Sequence, residues 1–307
     1  MFTLSNINSL KYMSMKKILL TLVVPFVLGY GGLTAQEVSP FYRVTASGGI
    51  PSLSDAVKAG FEAAGFDFLG SYHPGGDLDL FVLVFTRDDL RKMTFSLPDR
   101  GALASVLKAG MMKTDAGTEI SVVNPVYMFY AYLRDGVRDY TPYQKISDDF
   151  KGVLATWGKP EPFGEALEVN KLKKYHYMMG MPYFDDPVKL HTFGSFEEGL
   201  ETIRKNLDAG KGKTVKVYEL VDTNGKTALF GVGLQDPEKG EKHFLPIIGE
   251  SHVAAMPYEI ILQGQEATML HGRFRFALYW PGLTMKTFTK IMSTPGDVED
   301  MLKALTE

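Results

Sequence analysis

An α+β fold of two tandem β-α-β(4)-α modules, with mainly antiparallel sheets and helices packed on one face, is the architecture this 307-residue chain predicts. Three observations point there. The order of apolar patterns recurs at a spacing near 145 residues, so that Ser52 and Ser195, which open the first helix of each half, are 143 apart. In both halves that helix is followed by two strand-like runs around a turn-rich loop. With 45% hydrophobic residues, 22% charged and no cysteine, the chain must hold itself together by packing.

The first half opens with a short strand, Phe41 to Ala46, and an amphipathic helix with Leu53, Val57, Gly60 and Ala64 on one face. Ser52 with Asp55 is a weak capping box. Runs Phe66 to Tyr72 and Leu78 to Phe85 flank His73-Pro74-Gly75-Gly76-Asp77, which reads as a hairpin. A short helical or irregular patch, Asp99 to Gly110, leads to further strands, the last through Asn124 to Leu133. Ile146, Phe150, Val153, Leu154 and Trp157 form the apolar stripe of a closing helix.

The second half repeats this order. A strand at Lys189 to Phe193 leads into a helix with Phe196, Leu200, Ile203 and Leu207 on one face. Ser195 with Glu198 fits the capping box, in which the hydroxyl serves a first-turn amide and the carboxylate the cap amide. Val215 to Val221 and Thr227 to Leu234 flank Asn224-Gly225, a pair suited to positive φ at both central positions of a tight hairpin. The patch Gly249 to Met256 precedes strands ending in Arg273 to Trp280. An extra helix over Met285 to Met292 and a closing one carrying Val298, Met301, Leu302 and Leu305 complete it. The resulting division is a signal segment at 1–35, modules at 36–157 and 189–307, and a connection at 158–188 whose best linker is Gly158 to Gly164.

The first 35 residues hold Lys11, Lys16 and Lys17 and no acid. Lys16-Lys17, the apolar stretch Ile18 to Leu28 and the small-residue junction Leu33-Thr34-Ala35 fit a cleaved export signal, and the apolar core is short for a bilayer span. A periplasmic or secreted protein is expected, with no membrane span after cleavage. Removing those lysines takes the net charge from −3 to −6, which argues against nucleic acid as a partner.

Ser52 to Gly65 running into the first hairpin, Val122-Val123-Asn124-Pro125, and Met256-Pro257-Tyr258-Glu259-Ile260-Ile261-Leu262 with the strand after it resemble the domain-of-unknown-function family numbered 302. That family occurs singly or in tandem and resembles the saddle-like TATA-binding-protein fold. The resemblance covers residues 40–157 and 189–305. It implies a fold and brings no established activity.

Chemistry is sparse. There is no nucleophile elbow and no P-loop, and the six histidines show no zinc-hydrolase spacing. Four groups remain. Glu250, His252 and His271, near the strands of the second half, are the weak catalytic candidates, and Ser251 beside His252 reads as loop or cap. Arg273, Arg275 and Tyr279 fall on one face of an alternating strand and read as a solvated basic face, with a ligand site gripping a carboxylate or phosphate as the alternative. His176 with Met178, Met179 and Met181 has the softness that suits monovalent copper, set against a reading as adaptable packing, so no metal or other cofactor is assigned. Tyr140, Tyr143, Tyr175, Tyr177 and Tyr183 surround the connection and either stack on glycans or join the modules. The function expected is a noncatalytic ligand-binding or interaction module, its partner a small molecule or an envelope protein, with the ligand in a groove between modules. The alternative is a hydrolase-like enzyme whose site is assembled from separate loops of the second half.

Overall fold

The computed structural model describes residues 36–307, so the expected signal segment lies outside the described residues. No helix among the described residues is long and apolar enough to cross a membrane. The fold is α+β, and every strand pair among the described residues is antiparallel.

The first half runs β1 (Glu37–Val38), β2 (Phe41–Ala46), α1 (Ile50–Ala63), β3 (Asp67–Tyr72), β4 (Leu80–Thr86), α2 (Asp88–Phe95), β5 (Leu107–Thr114), β6 (Gly117–Val123), α3 (Pro125–Leu133) and α4 (Thr141–Gly152). The connection holds β7 (Glu161–Phe163), β8 (Leu167–Glu168) and α5 (Val169–Leu172). The second half runs β9 (Val188–Thr192), α6 (Phe196–Asp208), β10 (Thr214–Asp222), β11 (Thr227–Leu234), α7 (Glu241–Ile248), β12 (Tyr258–Gln263), β13 (Glu266–Met269), α8 (Gly272–Tyr279), α9 (Met285–Phe288) and α10 (Thr294–Lys303). Short 3₁₀ turns at Gly101–Ser105 and Glu250–Ala255 precede β5 and β12.

The first sheet is ordered β3-β4-β5-β6-β2-β7 and the second β10-β11-β12-β13-β9. Counted from β2 in the first half and from β9 in the second, the second, third, fourth, fifth and first strands lie side by side in both. The expected linker is therefore partly structured: β7 extends the first sheet along β2, and β8 pairs with β1. All eight residues of β11 are buried, as happens when both faces of a sheet are covered. The core is contiguous through both sheets. In the first half its centre is Phe61 against Phe85 and Phe150, at ring-centroid distances of 4.6 and 4.4 Å. Each such ring contributes roughly 1.5–3 kcal/mol by leaving water.

The outer strands β3 and β10 of the two sheets come into close contact. A Cβ built on Gly70 of β3 would land on the Val217 carbonyl oxygen of β10, so a side chain there would force the strands apart.

Three local expectations need correction. Asn124 to Leu133 and Arg273 to Trp280 are the helices α3 and α8, not strands. Both are short and buried almost all round, so the core leaves them no 3.6-residue polar face, and Arg-Phe-Arg-Phe alternates by coincidence. The second hairpin turns through four residues, Thr223 to Lys226: Lys226 has φ 48°, while Asp222 Oδ1 accepts from the amides of Asn224 and Gly225, each at 3.1 Å. An Asx-type turn has replaced the tight Asn-Gly one. At α6, Ser195 accepts from the Glu198 amide at 3.0 Å, and Glu198 serves the Gly194 amide, one residue before the cap. Ser52 lies inside α1, and its hydroxyl donates to the Gly49 carbonyl.

Candidate functional site

A cavity of about 420 Å³ opens where the ends of α2 and α3 meet the connection after α5. From α2 the chain passes Leu97 and Pro98 into Asp99 and Arg100, both left-handed at φ 54° and 63°. From α3 it leaves through Arg134, at φ 48° and ψ −131°. Three of the five non-glycine residues with positive φ among the described residues thus sit at one site. Each such backbone costs of order 1–3 kcal/mol and persists only where its surroundings impose it.

These surroundings are ionic and aromatic. Asp99 pairs with both Arg100 and Arg134, and Arg134 reaches Asp185 at 3.1 Å. The two guanidinium carbons lie 4.8 and 5.1 Å from the centroid of the buried Phe184 ring. Burial works against the Asp185 carboxylate, but the hydrogen bond and charge of Arg134 outweigh it and hold its pKa below the usual range. Lys173 and Lys174 line the cavity from α5's end, with Lys173 3.9 Å from Asp135. Tyr183 is stacked on His176 at 4.0 Å and an interplanar angle of 9°, and remains 44% exposed. Its outer face is thus an oriented platform at the rim.

Tyr132 forms the inner wall, and its hydroxyl meets that of Tyr279 at 2.9 Å. Beyond Tyr279 is a buried charged centre. Arg275, 1% exposed, lies 5.7 Å from the Tyr279 ring and 3.9 Å from that of Tyr258. Arg275 and Lys108 both reach Glu259 and donate to the carbonyls of Ala255 and Pro257. Two cations therefore share one carboxylate in the interior. Burial, opposed by Glu259, brings Lys108 down to about 8. Nearby Glu241 accepts from the Tyr72 hydroxyl at 2.7 Å and the Gly75 amide at 3.0 Å, and burial pushes it up to about 7.

The residues singled out by sequence fall in different places. Arg273, Arg275 and Tyr279 do not share an exposed face, because α8 is a helix: Arg275 and Tyr279 are buried, whereas Arg273 is exposed at the rim of a small apolar slot. Met178 and Met181 line that slot, and Met179 is 95% exposed. His176 is bonded through Nε2 to the Met181 carbonyl at 2.9 Å. No group of three or more His, Asp or Glu side chains among the described residues is placed to hold a metal ion. His252 packs among Phe41, Phe163 and Trp280, and burial lowers its pKa to about 4. Its Nδ1 is 3.5 Å from Ser251 Oγ. His271 instead caps α8, Nδ1 accepting from the Arg273 amide at 3.2 Å, and burial lowers its pKa as well. Burial raises the Glu250 carboxyl, with Asp77 and Asp79 adding to the rise. Among the described residues no hydrogen bond or ion pair joins Glu250, His252 and His271.

Sequence reasoning found Tyr175 and Tyr183 but missed Asp99, Arg100, Arg134, Phe184 and Asp185. The one available signal was Pro98-Asp99-Arg100-Gly101, whose composition announces a turn between helices. Lys108 and Glu259 gave none, since a charge on a strand reads as solvent-facing. The chain matches no protein-family model, and no curated protein matches it.

Proposed function

We propose that this is an exported, noncatalytic ligand-binding protein whose ligand occupies the 420 Å³ cavity between the end of α3 and the connection. The observation that carries this is the convergence of Asp99 and Arg134, both with positive φ, on that cavity, with the buried Arg100, also at positive φ, pairing with Asp99 behind it. A chain that needed only a loop there would relax them; holding them fixes polar groups in advance of a ligand, which lowers the cost of ordering on binding. The volume lies within the range of roughly 300–1,000 Å³ common for small-molecule sites.

The tandem plan and the likeness to the family numbered 302 belong to the same proposal. Both halves share one strand order. Residues at matching positions also meet: Tyr132 with Tyr279, 147 apart, and Lys108 with Glu259, the second residues of β5 and β12. Gly70 and Val217 touch between β3 and β10. Contacts between equivalent positions are what a two-fold pairing of one module produces.

Gly136 supplies the test. It lines the cavity, and a Cβ added there meets nothing within 4 Å, so Gly136→Phe fills the site without disturbing the core. A ligand-observed NMR fragment screen should give hits on the natural protein that disappear with Gly136→Phe. Hits retained by the variant, or none on either protein, would overturn the proposal.

A further inference from the structure

The chemistry of the cavity narrows its ligand, provided the binding site proposed above is real. Three acids, Asp99, Asp135 and Asp185, face three bases, Arg134, Lys173 and Lys174. Two clefts adjoin it. One of about 500 Å³ shares Lys174 and Tyr175; the other, of about 280 Å³, shares Asp99 and Asp185. They add Glu165 and Glu266 on one side of the ledger and Lys171 and Arg100 on the other. The balance stays even at five against five. A net anion or cation would meet as much repulsion as attraction along this path.

The charges are also interleaved. Arg134 bridges Asp99 and Asp185, Arg100 holds Asp99, and Lys173 stands near Asp135. Inside the cavity no separated positive and negative poles are offered to a zwitterion; the cleft beyond Lys174 has two cations to one acid, and the cleft beyond Asp99 three acids to one cation. What the paired groups do present is many hydrogen-bonding directions at fixed places: carboxylate oxygens that accept, and guanidinium and ammonium groups that donate. A ligand matched to this must both donate and accept from adjacent atoms without carrying charge. Neighbouring hydroxyls do so. The Tyr183 ring, oriented by His176, adds a flat surface of the kind on which the C–H face of a sugar ring rests. The flanking clefts extend the path beyond the size of a single ring.

We infer that the cavity and its two flanking clefts form a binding site for a neutral oligosaccharide, with one sugar ring stacked on Tyr183.

The test is calorimetric titration of the full chain with neutral mono-, di- and trisaccharides of glucose, galactose, mannose and N-acetylglucosamine. Citrate, phosphate, benzoate and glycylglycine serve as charged and zwitterionic probes. At least one neutral series should bind, more tightly as the chain lengthens, and with an affinity little changed from low to high salt, where an exposed ionic contact would weaken by roughly tenfold. Tyr183→Ala should weaken it about tenfold, while Tyr183→Phe, which keeps the platform, should restore it to within about threefold. Binding of a charged or zwitterionic probe, abolished by Gly136→Phe, with no sugar bound would overturn the carbohydrate assignment and leave the binding site standing. Sugar binding indifferent to Tyr183→Ala and to Gly136→Phe would overturn the location. No binding by any probe, with the fragment screen also blank, would remove both.

Discussion

Removing the carboxylate of the buried charged centre should be far more damaging than removing one of its cations. Lys108, Glu259 and Arg275 are 5%, 9% and 1% exposed, and the two cations share the one acid. Glu259→Gln leaves two buried positive charges without a counter-ion, for which the expected loss is about 3–5 kcal/mol. Lys108→Met keeps the length and apolar stem of the side chain and leaves Arg275 paired one to one with Glu259. Its cost should stay below about 1.5 kcal/mol, because the carbonyls of Ala255 and Pro257 that Lys108 serves are also served by Arg275. Urea unfolding, with an unchanged denaturant slope as the control, measures both. The pH dependence gives an independent reading. Lys108 falls from 10.5 to about 8 on folding, chiefly through burial. Between those values the unfolded chain binds the proton and the folded one does not, so this residue adds stability as pH rises from about 8 to 10.5. The gain is at most about 3 kcal/mol at 1.36 kcal/mol per unit. It should appear in the natural protein and be absent from Lys108→Met. Equal costs for the two substitutions, or a difference between natural protein and Lys108→Met that is flat across that window, would refute the charge-sharing arrangement.

Two further outcomes follow from the same interior. Glu241 rises from 4.5 to about 7 on folding because it is buried, so stability from its protonation is full below about 4.5 and is lost as pH climbs through 7. Thermal unfolding should show the natural protein losing on the order of 3 kcal/mol over that interval, with Glu241→Gln, whose amide oxygen can still accept from Gly75 while its NH2 donates to the Tyr72 oxygen, free of the slope and more stable at pH 8. At the β3–β10 contact, Gly70→Ala should cost about 2–3 kcal/mol in denaturant unfolding, whereas Gly136→Ala, which meets open space, should be nearly neutral; a silent Gly70→Ala would deny the close approach.

Much of the fold was legible because amphipathic periodicity survives where an element has one wet face. The stripes of α6 and α10, and the capping serine of α6, are of this kind, whereas α1 buries Ile50, Val57 and Phe61, and of its expected stripe Leu53 and Gly60 are half-buried and Ala64 is exposed. The strands of both hairpins were legible for a related reason, being bounded by turn formers on each side. What failed was the interior. The segments Pro125–Leu133 and Gly272–Tyr279 are buried on nearly every side, with Arg273 the one exposed residue, which erases the 3.6-residue signal, and α8 looked like a strand for that reason. Arg275 belongs inside only because Glu259, sixteen residues earlier on β12, and Lys108, in the other half, are there to meet it. The cavity was hidden for the same reason: Asp99, Arg134 and Asp185 are far apart in the chain and are joined by topology alone.

The most direct test of the proposed binding site is a crystal structure of the full chain with the tightest binder from the NMR screen. Ligand density should lie in the cavity against Arg134 and the outer face of Tyr183, with Asp99 and Arg100 still left-handed. Density seated elsewhere, with the cavity empty and those backbones relaxed, would contradict it.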